Sequence, residues 1–326
     1  MERISVPGSF GLTRRQFAIG SVLTGAVLAV PRLGPTALAR QADLTSAGYP
    51  TIDVTVTASA YEGVPETLEA GRYLLNVTVA EDAGEFGGVA FLQPYEMSAE
   101  EFFAFLGGGE APPVASPEAA ATEAEEGGGE EGPLPPFVYQ STFAGGAAAE
   151  AGGTASAVVD LTEGEWIAWG DEPDAAQMPV VFTVTGEFPA EVEEPESDVT
   201  ITLVDFGIMV EGNLVAGEHV VMIDNQGAQP HFVDLSMVPD GTTNDDLTAL
   251  LASFMTEMAS TPAPGGLSEE DFQSVAYTPT QSIDVQIWTT LTLEAGTYAA
   301  LCWFPTAGIG DPHAFHGMHT VFEVTA

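Results

Sequence analysis

Short stretches in which apolar and polar residues alternate run along most of the chain. The pattern has a period of two, which is typical of strands that bury one face. Its clearest members are Val54, Val56, Val199, Ile201, Leu203, Ile283, Val285 and Ile287. Glycine and acidic residues separate these stretches, and long helical patterns are absent. The pattern predicts an all-β chain of antiparallel β-sandwiches.

The same order of segments occurs twice. Three segment pairs match: 68–75 with 214–221, 89–92 with 232–235, and 160–166 with 292–298. Each copy closes on an alternating strand, at 180–185 and at 320–324. A repeated unit of this length indicates a duplicated domain and not a solenoid.

The duplication predicts two tandem domains, at 47–188 and 198–326. An acidic, proline-containing linker at 189–197 joins them. Residues 107–136 are Gly, Ala, Glu and Pro with almost nothing to bury, so we expect a disordered insertion in the first domain.

Short helical insertions are expected once in each copy. Ser98 with Glu101, and Thr243 with Asp246, have the spacing of a capping box, which marks a helix start. The helices predicted behind them are 102–106 and 247–258.

The first forty residues have the features of an export signal. Arg14 and Arg15 precede an apolar run at 17–30, and 37–39 is Ala-Leu-Ala. The run is shorter than the roughly 20 residues that a membrane-spanning helix needs. The segment 1–40 resembles a twin-arginine signal peptide, which implies export to the periplasm or the extracellular space.

The charge is strongly one-sided. The six basic residues are all Arg, and Arg72 is the only one after Arg40, whereas all but one of the 48 acidic residues lie there. Such a surface repels nucleic acid and anionic lipid, and it favours cationic partners or high salt. We interpret the charge as a general surface adaptation.

The residues able to bind a soft metal ion all lie in the second copy. They are the single cysteine, Cys302, and the five histidines His219, His231, His313, His316 and His319. One cysteine excludes an internal disulfide, and a lone thiol in an oxidising compartment needs to be buried or ligated.

Two motifs in the second copy resemble the cupredoxin family, the type 1 blue copper proteins such as plastocyanin and azurin. The first is Asn-x-Gly-x-x-x-His, which ends at His231. The second is Gly-x-Tyr-x-x-x-Cys, which ends at Cys302 and is followed by His-x-x-x-Gly-Met at 313–318. The resemblance covers about 198–326 and reaches the first copy only through the internal repeat.

The resemblance implies two tandem cupredoxin-like β-sandwiches with one copper ion in the second. His231, Cys302 and His313 would be the strong ligands and Met318 the axial one. A thiolate and two imidazoles with a weak axial thioether suit both Cu(I) and Cu(II). The first domain would be a degenerate copy without ligands.

The sequence departs from the family pattern in two places. The segment between Cys302 and His313 is longer than in plastocyanin-like and azurin-like members. Phe232 stands where the family often has a small polar residue that braces the cysteine loop. These departures allow a related site with altered colour, slower electron transfer or weaker binding.

Each candidate also has a structural interpretation. Cys302 and Met318 could be core residues, and His231 could cap a turn. His313, His316 and His319 could form a polar loop cluster. His316 and His319 are reserve ligands for the case in which the loop folds differently. His219 aligns with Tyr73 on a strand, which favours a structural role.

These observations predict an exported copper-binding electron-transfer protein with a redox protein as its partner. The alternatives are a metal-free structural or binding module and a copper storage or delivery protein. We expect no enzyme, because a copper oxidase or nitrite reductase needs additional histidines for its further copper centre. Hydrolase, phosphate-loop and zinc motifs are absent from the sequence.

Overall fold

The computed structural model describes residues 44–84, 86–106, 134–170, 177–255 and 266–326. The signal peptide predicted at 1–40 lies outside these residues, and so does the predicted insertion except for 134–136. The division into domains at 47–188 and 198–326 stays a prediction.

Strands dominate the described residues, which confirms the all-β fold class. In chain order they are β1 Thr51–Val56, β2 Tyr61–Glu62, β3 Thr67–Glu69, β4 Gly71–Val79, β5 Phe86–Gln93, β6 Thr142–Glu150, β7 Thr154–Leu161, β8 Gly164–Trp169, β9 Val180–Thr185, β10 Val199–Val204, β11 Gly207–Gly212, β12 Gly217–Asn225, β13 His231–Val238, β14 Gln273–Gln281, β15 Gln286–Leu293, β16 Gly296–Leu301 and β17 His319–Val324.

The N-terminal half of the chain, β1 to β9, and the C-terminal half, β10 to β17, contribute strands to the same two sheets. One sheet has the order β11-β10-β12-β15-β7-β4-β1-β2, and the other has the order β17-β16-β13-β14-β6-β5-β8-β9-β3. The halves join where β15 pairs with β7 and where Gln281 of β14 pairs with Ala144 of β6. Apolar residues of both sheets form one main core. The two halves are therefore continuous through both layers of the sandwich.

Most neighbouring strands are antiparallel, as predicted, but three pairs are parallel: β1 with β4, β3 with β9, and β10 with β12. The last pair shows the reason. β10 and β11 form a hairpin, and the chain then returns to the opposite edge of β10. β12 therefore runs in the same direction as β10.

The predicted period of two is confirmed in β1 and β10, where every second side chain is buried. It is wrong at Ile283, which lies 45% exposed in the turn before β15. Val285 closes this turn by donating its N–H to the carbonyl of Ser282 at 3.2 Å, and Asp284 adopts a positive φ of 60°. The strand therefore begins only at Gln286.

Three short α-helices occur in the described residues: α1 Ala99–Leu106, α2 Pro136–Gln140 and α3 Asn244–Phe254. Both predicted capping boxes are present, one at Ser98 and one at Thr243. The end predicted for the second helix, at 258, lies outside the described residues. Among those residues, no helix has the length and apolar character needed to cross a membrane.

Matched side chains of the two halves make the same contacts. Tyr73 donates its hydroxyl to the carbonyl four residues earlier at 2.6 Å, and His219 places Nε2 2.7 Å from the corresponding carbonyl. Trp166 and Tyr298 likewise donate to the carbonyl four residues earlier, at 2.8 and 3.0 Å. The sequence matches between 68–75 and 214–221, and between 160–166 and 292–298, therefore correspond to equivalent local structures.

Arg72 connects both halves and the segment between them. Its guanidinium donates two hydrogen bonds to the carboxylate of Asp160, at 2.7 and 2.8 Å. It also donates to the carbonyl of Glu193 at 3.1 Å and lies 4.6 Å from the ring centroid of Trp288. A planar guanidinium suits this combination of a bidentate ion pair and a stacked ring.

Candidate metal centre

The structure brings together three of the four predicted ligands at their donor atoms. His231 begins β13, Cys302 directly follows β16, and His313 begins a 3₁₀ helix that ends at His316. All three side chains are fully buried. The Nδ1 atoms of His231 and His313 lie 3.0 Å apart, and Cys302 Sγ lies 3.8 and 3.7 Å from them.

Met318 is tied to two of these residues through its backbone. Its N–H donates to the carbonyl of His313 at 3.1 Å, and its carbonyl accepts from the N–H of Cys302 at 3.1 Å. Ala314 donates its N–H to the carbonyl of Cys302 at 2.8 Å. The side chain of Met318 is fully buried. The His-x-x-x-Gly-Met segment is thus hydrogen-bonded to the end of the cysteine strand.

The turn before His231 is organised by Asn225. Its amide donates to the carbonyls of Gln229 and Gln281 at 3.0 and 2.9 Å, and its oxygen accepts from the N–H of Gly227 at 2.9 Å. A β-carbon at position 227 would lie 2.5 Å from Nε2 of His231. The Asn and the Gly of the first motif therefore hold this turn against the imidazole.

The long segment between Cys302 and His313 folds into a small hairpin, residues 305–312, which we call the finger. Pro305 and Pro312 pair across its base, and Thr306 donates its N–H to the carbonyl of Asp311 at 2.8 Å. His313 then donates its N–H to the carbonyl of Phe304 at 2.9 Å. The extra residues lie outside the donor group, and the chain leaves the finger at a point that places His313 next to Cys302.

The outer nitrogens of both imidazoles face hydrogen-bond acceptors. Nε2 of His231 lies 3.1 Å from Oδ1 of Asp205, and Nε2 of His313 lies 3.3 Å from Oε1 of Gln229. That amide oxygen also accepts the N–H of Ala307 at 2.7 Å, which fixes its identity as an acceptor. Each Nε2 therefore carries the hydrogen, and each Nδ1 presents its lone pair to Cys302.

The surroundings keep both imidazoles neutral. Burial lowers the pKa of His231, although Asp205 acts in the opposite direction. Burial, together with the neighbouring His231, lowers the pKa of His313 to about 3. Two lone pairs therefore face each other at 3.0 Å beside a sulfur atom. A cation placed between them relieves this repulsion.

The spacing of the three donor atoms suits a first-row metal ion. Bonds of about 2.0 Å to nitrogen and about 2.3 Å to sulfur, about 120° apart, place N and S about 3.7 Å from each other. The observed N–S distances are 3.7 and 3.8 Å, and the N–N distance of 3.0 Å corresponds to an angle of about 97° between two such bonds to nitrogen. One thiol, two imidazoles and the thioether of Met318, whose backbone is hydrogen-bonded to Cys302 and His313, are the donor set of a type 1 copper site. The residues present therefore fit copper.

Phe232, one of the two departures from the family pattern, lies against the sulfur through its backbone. Its N–H donates to Sγ of Cys302 at 3.5 Å, and its ring packs on Tyr277 at a centroid distance of 5.2 Å. A backbone N–H supplies this hydrogen bond whatever the side chain. The aromatic residue at this position therefore leaves a donor to the sulfur in place.

Phe206 packs against the centre from the β10–β11 turn. It follows Asp205 in the β10–β11 turn with a positive φ of 64°, a conformation that non-glycine residues seldom adopt. Its ring meets those of His313 and His316 edge to face, at 5.9 and 5.7 Å. The turn thus reaches both imidazoles, one through Asp205 and one through Phe206.

The other histidines lie outside the donor group. His219 bonds Asp198 and Val215 through its two ring nitrogens, in line with the structural role expected for it. His319 contacts the carbonyl of Ala314 and the hydroxyl of Thr248. His316 Nε2 lies 3.8 Å from the carboxylate of Asp311.

No protein-family model and no curated protein matches this sequence. Among solved structures, the dithionite-reduced auracyanin of Roseiflexus castenholzii matches at 18% identity and a TM-score of 0.24. That match covers 39% of this chain and 95% of the auracyanin.

Two copper enzymes match over more of the chain. Copper nitrite reductase of Nitrosomonas europaea matches at 9% identity and a TM-score of 0.22, covering 84% of this chain and 93% of its own. The McoA multicopper oxidase of Aquifex aeolicus matches at 10% identity and a TM-score of 0.24, covering 87% and 69%. At these values the site assignment depends on the chain's own residues.

These matches contradict the prediction that the chain is not an enzyme, since nitrite reductase and the multicopper oxidases are enzymes. The prediction depended on a count of histidines. Such a count limits how many metal centres one chain can hold, but a single redox centre can also act on a substrate. The exclusion of catalysis is therefore withdrawn.

Proposed function

We propose that this chain is an exported copper protein that transfers single electrons through one type 1 copper site. In this proposal His231 Nδ1, Cys302 Sγ and His313 Nδ1 would be the strong ligands, and the thioether of Met318 would be the weak fourth ligand. The observation that carries it is the convergence of these three buried donor atoms within 3.8 Å of one another.

The surroundings of the donor group favour electron transfer over simple metal storage. Copper bound here would supply the one-electron couple, and the chain's own hydrogen bonds hold every donor in place. Asp205 and Gln229 fix the two ring orientations, while Cys302 and Met318 are joined through the backbone. A donor group held in this way needs little rearrangement between two oxidation states.

The centre lies one side chain away from solvent. His313 is buried, but Phe206, which contacts its ring, is 41% exposed. We propose that a redox protein approaches the molecule on this side. The acidic composition of the chain makes a cationic partner surface the best match.

Export is supported by the sequence of the first forty residues. A twin arginine, a short apolar run and an Ala-x-Ala site occur in the order that a twin-arginine signal requires. We propose a periplasmic or extracellular location, in which Cys302 is protected by burial and ligation.

Titration of the metal-free protein with Cu(II) tests this function. We expect one equivalent to bind and to produce an intense thiolate-to-copper charge-transfer band. Cys302→Ser should abolish the band, and His313→Ala should abolish or strongly alter it. His319→Ala is the matched control, because both nitrogens of His319 bond elsewhere, and it should keep the band.

The same titration distinguishes the alternative functions. Binding of Cu(I) without a stable Cu(II) form would indicate storage or delivery, and absence of binding would indicate a metal-free module. A band that survives in Cys302→Ser would show that the copper lies elsewhere.

A further inference from the structure

The side chain of Phe304 lies between the N-terminal half of the chain and the metal centre. It is buried, and the rings of Tyr139 and Phe143 meet it edge to face at centroid distances of 5.9 and 6.1 Å. On its other side, the imidazole of His313 lies at 6.0 Å. One aromatic ring thus contacts both the N-terminal half and a proposed ligand.

Backbone contacts follow the same route. The carbonyl of Phe304 accepts the N–H of His313 at 2.9 Å, and the carbonyl of Pro305 accepts the hydroxyl of Tyr139 at 3.1 Å. Burial raises the pKa of Tyr139 to about 12, so the hydroxyl remains a donor at neutral pH. The base of the finger is therefore anchored to α2.

The residues that carry this contact are themselves fixed to the C-terminal half. Phe143 donates its N–H to the hydroxyl of Ser282 at 2.8 Å, and its carbonyl accepts the N–H of Ser282 at 2.9 Å. The Ser282 hydroxyl donates to the carbonyl of Ser141 at 2.9 Å, and the Ser141 hydroxyl donates to the carbonyl of Phe137, which lies in α2. These bonds hold α2 and the start of β6 in register with the β14–β15 turn.

We infer that Tyr139 and Phe143 are positioning residues of the metal centre. The N-terminal half, which has no histidine or cysteine, forms the wall against which the base of the finger packs. This rests on the proposed copper site and assigns to the first half a role beyond that of a degenerate copy. The length of the 303–312 segment explains the need for such a wall. A short loop is fixed by its two ends, whereas a longer one has more conformations to lose and needs additional contacts.

Two variants of the full-length chain separate this role from ordinary packing between the halves. Tyr139→Phe removes one hydrogen bond between the halves at the finger and keeps the ring. Thr289→Val removes one hydrogen bond between the halves on the other sheet, where Thr289 donates to the carbonyl of Ser156 at 2.9 Å. Both changes preserve side-chain size, and circular dichroism should confirm that both variants fold.

Two measurements on these variants test the inference. In the metal-free protein, hydrogen–deuterium exchange of the His313 amide should be faster in Tyr139→Phe than in wild type and unchanged in Thr289→Val. In the Cu(II) form, Tyr139→Phe should shift the charge-transfer band and speed copper release about tenfold. Thr289→Val should leave both as in wild type.

Equal exchange of the His313 amide in Tyr139→Phe and wild type would overturn the inference, and so would equal changes in both variants. The exchange measurement needs no copper. If the wild-type protein binds no copper, the proposed function fails, while the exchange still decides whether Tyr139 positions His313.

Discussion

Asp234 and Trp303 form a hydrogen-bonded pair next to the cysteine of the metal centre. Trp303 follows Cys302 and donates its indole N–H to the carboxylate of Asp234 at 2.9 Å. Burial raises the pKa of Asp234 to about 6, although this hydrogen bond acts in the opposite direction. The folded chain therefore binds a proton at this carboxyl group more tightly than the unfolded chain does.

This carboxyl group makes stability depend on pH in a defined direction. Its pKa is higher in the folded chain than the usual 3.8, so its protonation favours folding. The contribution is fully present below about pH 4 and is lost as the pH rises through about 6. We predict that the unfolding free energy of metal-free wild type, minus that of Asp234→Asn, falls over this range in urea titrations. A difference independent of pH would contradict the assignment, and the subtraction removes the effect of the other carboxylates.

At the residue level, the sequence predicted the donor atoms better than their surroundings. His231, Cys302, His313 and Met318 stand in two spaced motifs, which can be identified without knowing the fold. Asp205 lies outside both motifs, and only the β10–β11 turn brings it to His231. Gln229 lies within the first motif, but at a position that the motif leaves open.

Among the elements, the finger has the greatest consequence for the site. Its base is closed by the Pro305–Pro312 pair and by the bond between Thr306 and Asp311, while its tip extends away, with Ile309 55% exposed. The finger lengthens the connection without moving His313 from Cys302.

We predict that the tip of the finger can be shortened without loss of the site. Replacing Ala307–Gly310 by Asn-Gly keeps Thr306 and Asp311 and supplies residues that favour a two-residue hairpin. The variant should fold and keep its Cu(II) charge-transfer band. It should release copper faster than wild type, because the shorter turn displaces the backbone N–H of residue 307, which donates to Gln229 in wild type. A folded variant without the band would show that the tip is required for His313 to reach the metal.

The elements themselves were predictable where local signals determine them. The strands at 180–185 and 199–203 and the helix starts at Ser98 and Thr243 depend on periodicity and capping, and the structure agrees. Ile283 continues the apolar alternation but lies in a turn, since long-range pairing with β6 decides where β14 ends and pairing with β12 decides where β15 begins. The parallel pairing of β10 with β12 is likewise a property of the topology and has no local sequence signal.

On the scale of the whole molecule, the acidic composition determines how fast small charged reagents react with the copper site. All but one of the 48 acidic residues follow Arg40, and Arg72, the single cation there, is occupied by Asp160 and Trp288. The potential around the folded chain is therefore strongly negative at low salt.

We predict that reduction of the Cu(II) form by cationic hexaammineruthenium(II) slows at least about tenfold between roughly 0.01 and 0.5 M NaCl. Stopped-flow absorbance at the charge-transfer band measures this rate. The anionic reductant ascorbate is the matched control, and its rate should rise with salt. Rates independent of salt for both reagents would mean that the acidic residues lie away from the route of electron entry.

In the proposed function, one copper ion binds at the point where three buried side chains converge. Diffraction from copper-loaded crystals at the copper absorption edge would locate this ion. We predict one strong anomalous peak about 2.0 Å from Nδ1 of His231 and of His313, and about 2.3 Å from Sγ of Cys302. A peak at any other place in the molecule, or no peak in crystals grown with excess Cu(II), would contradict the account.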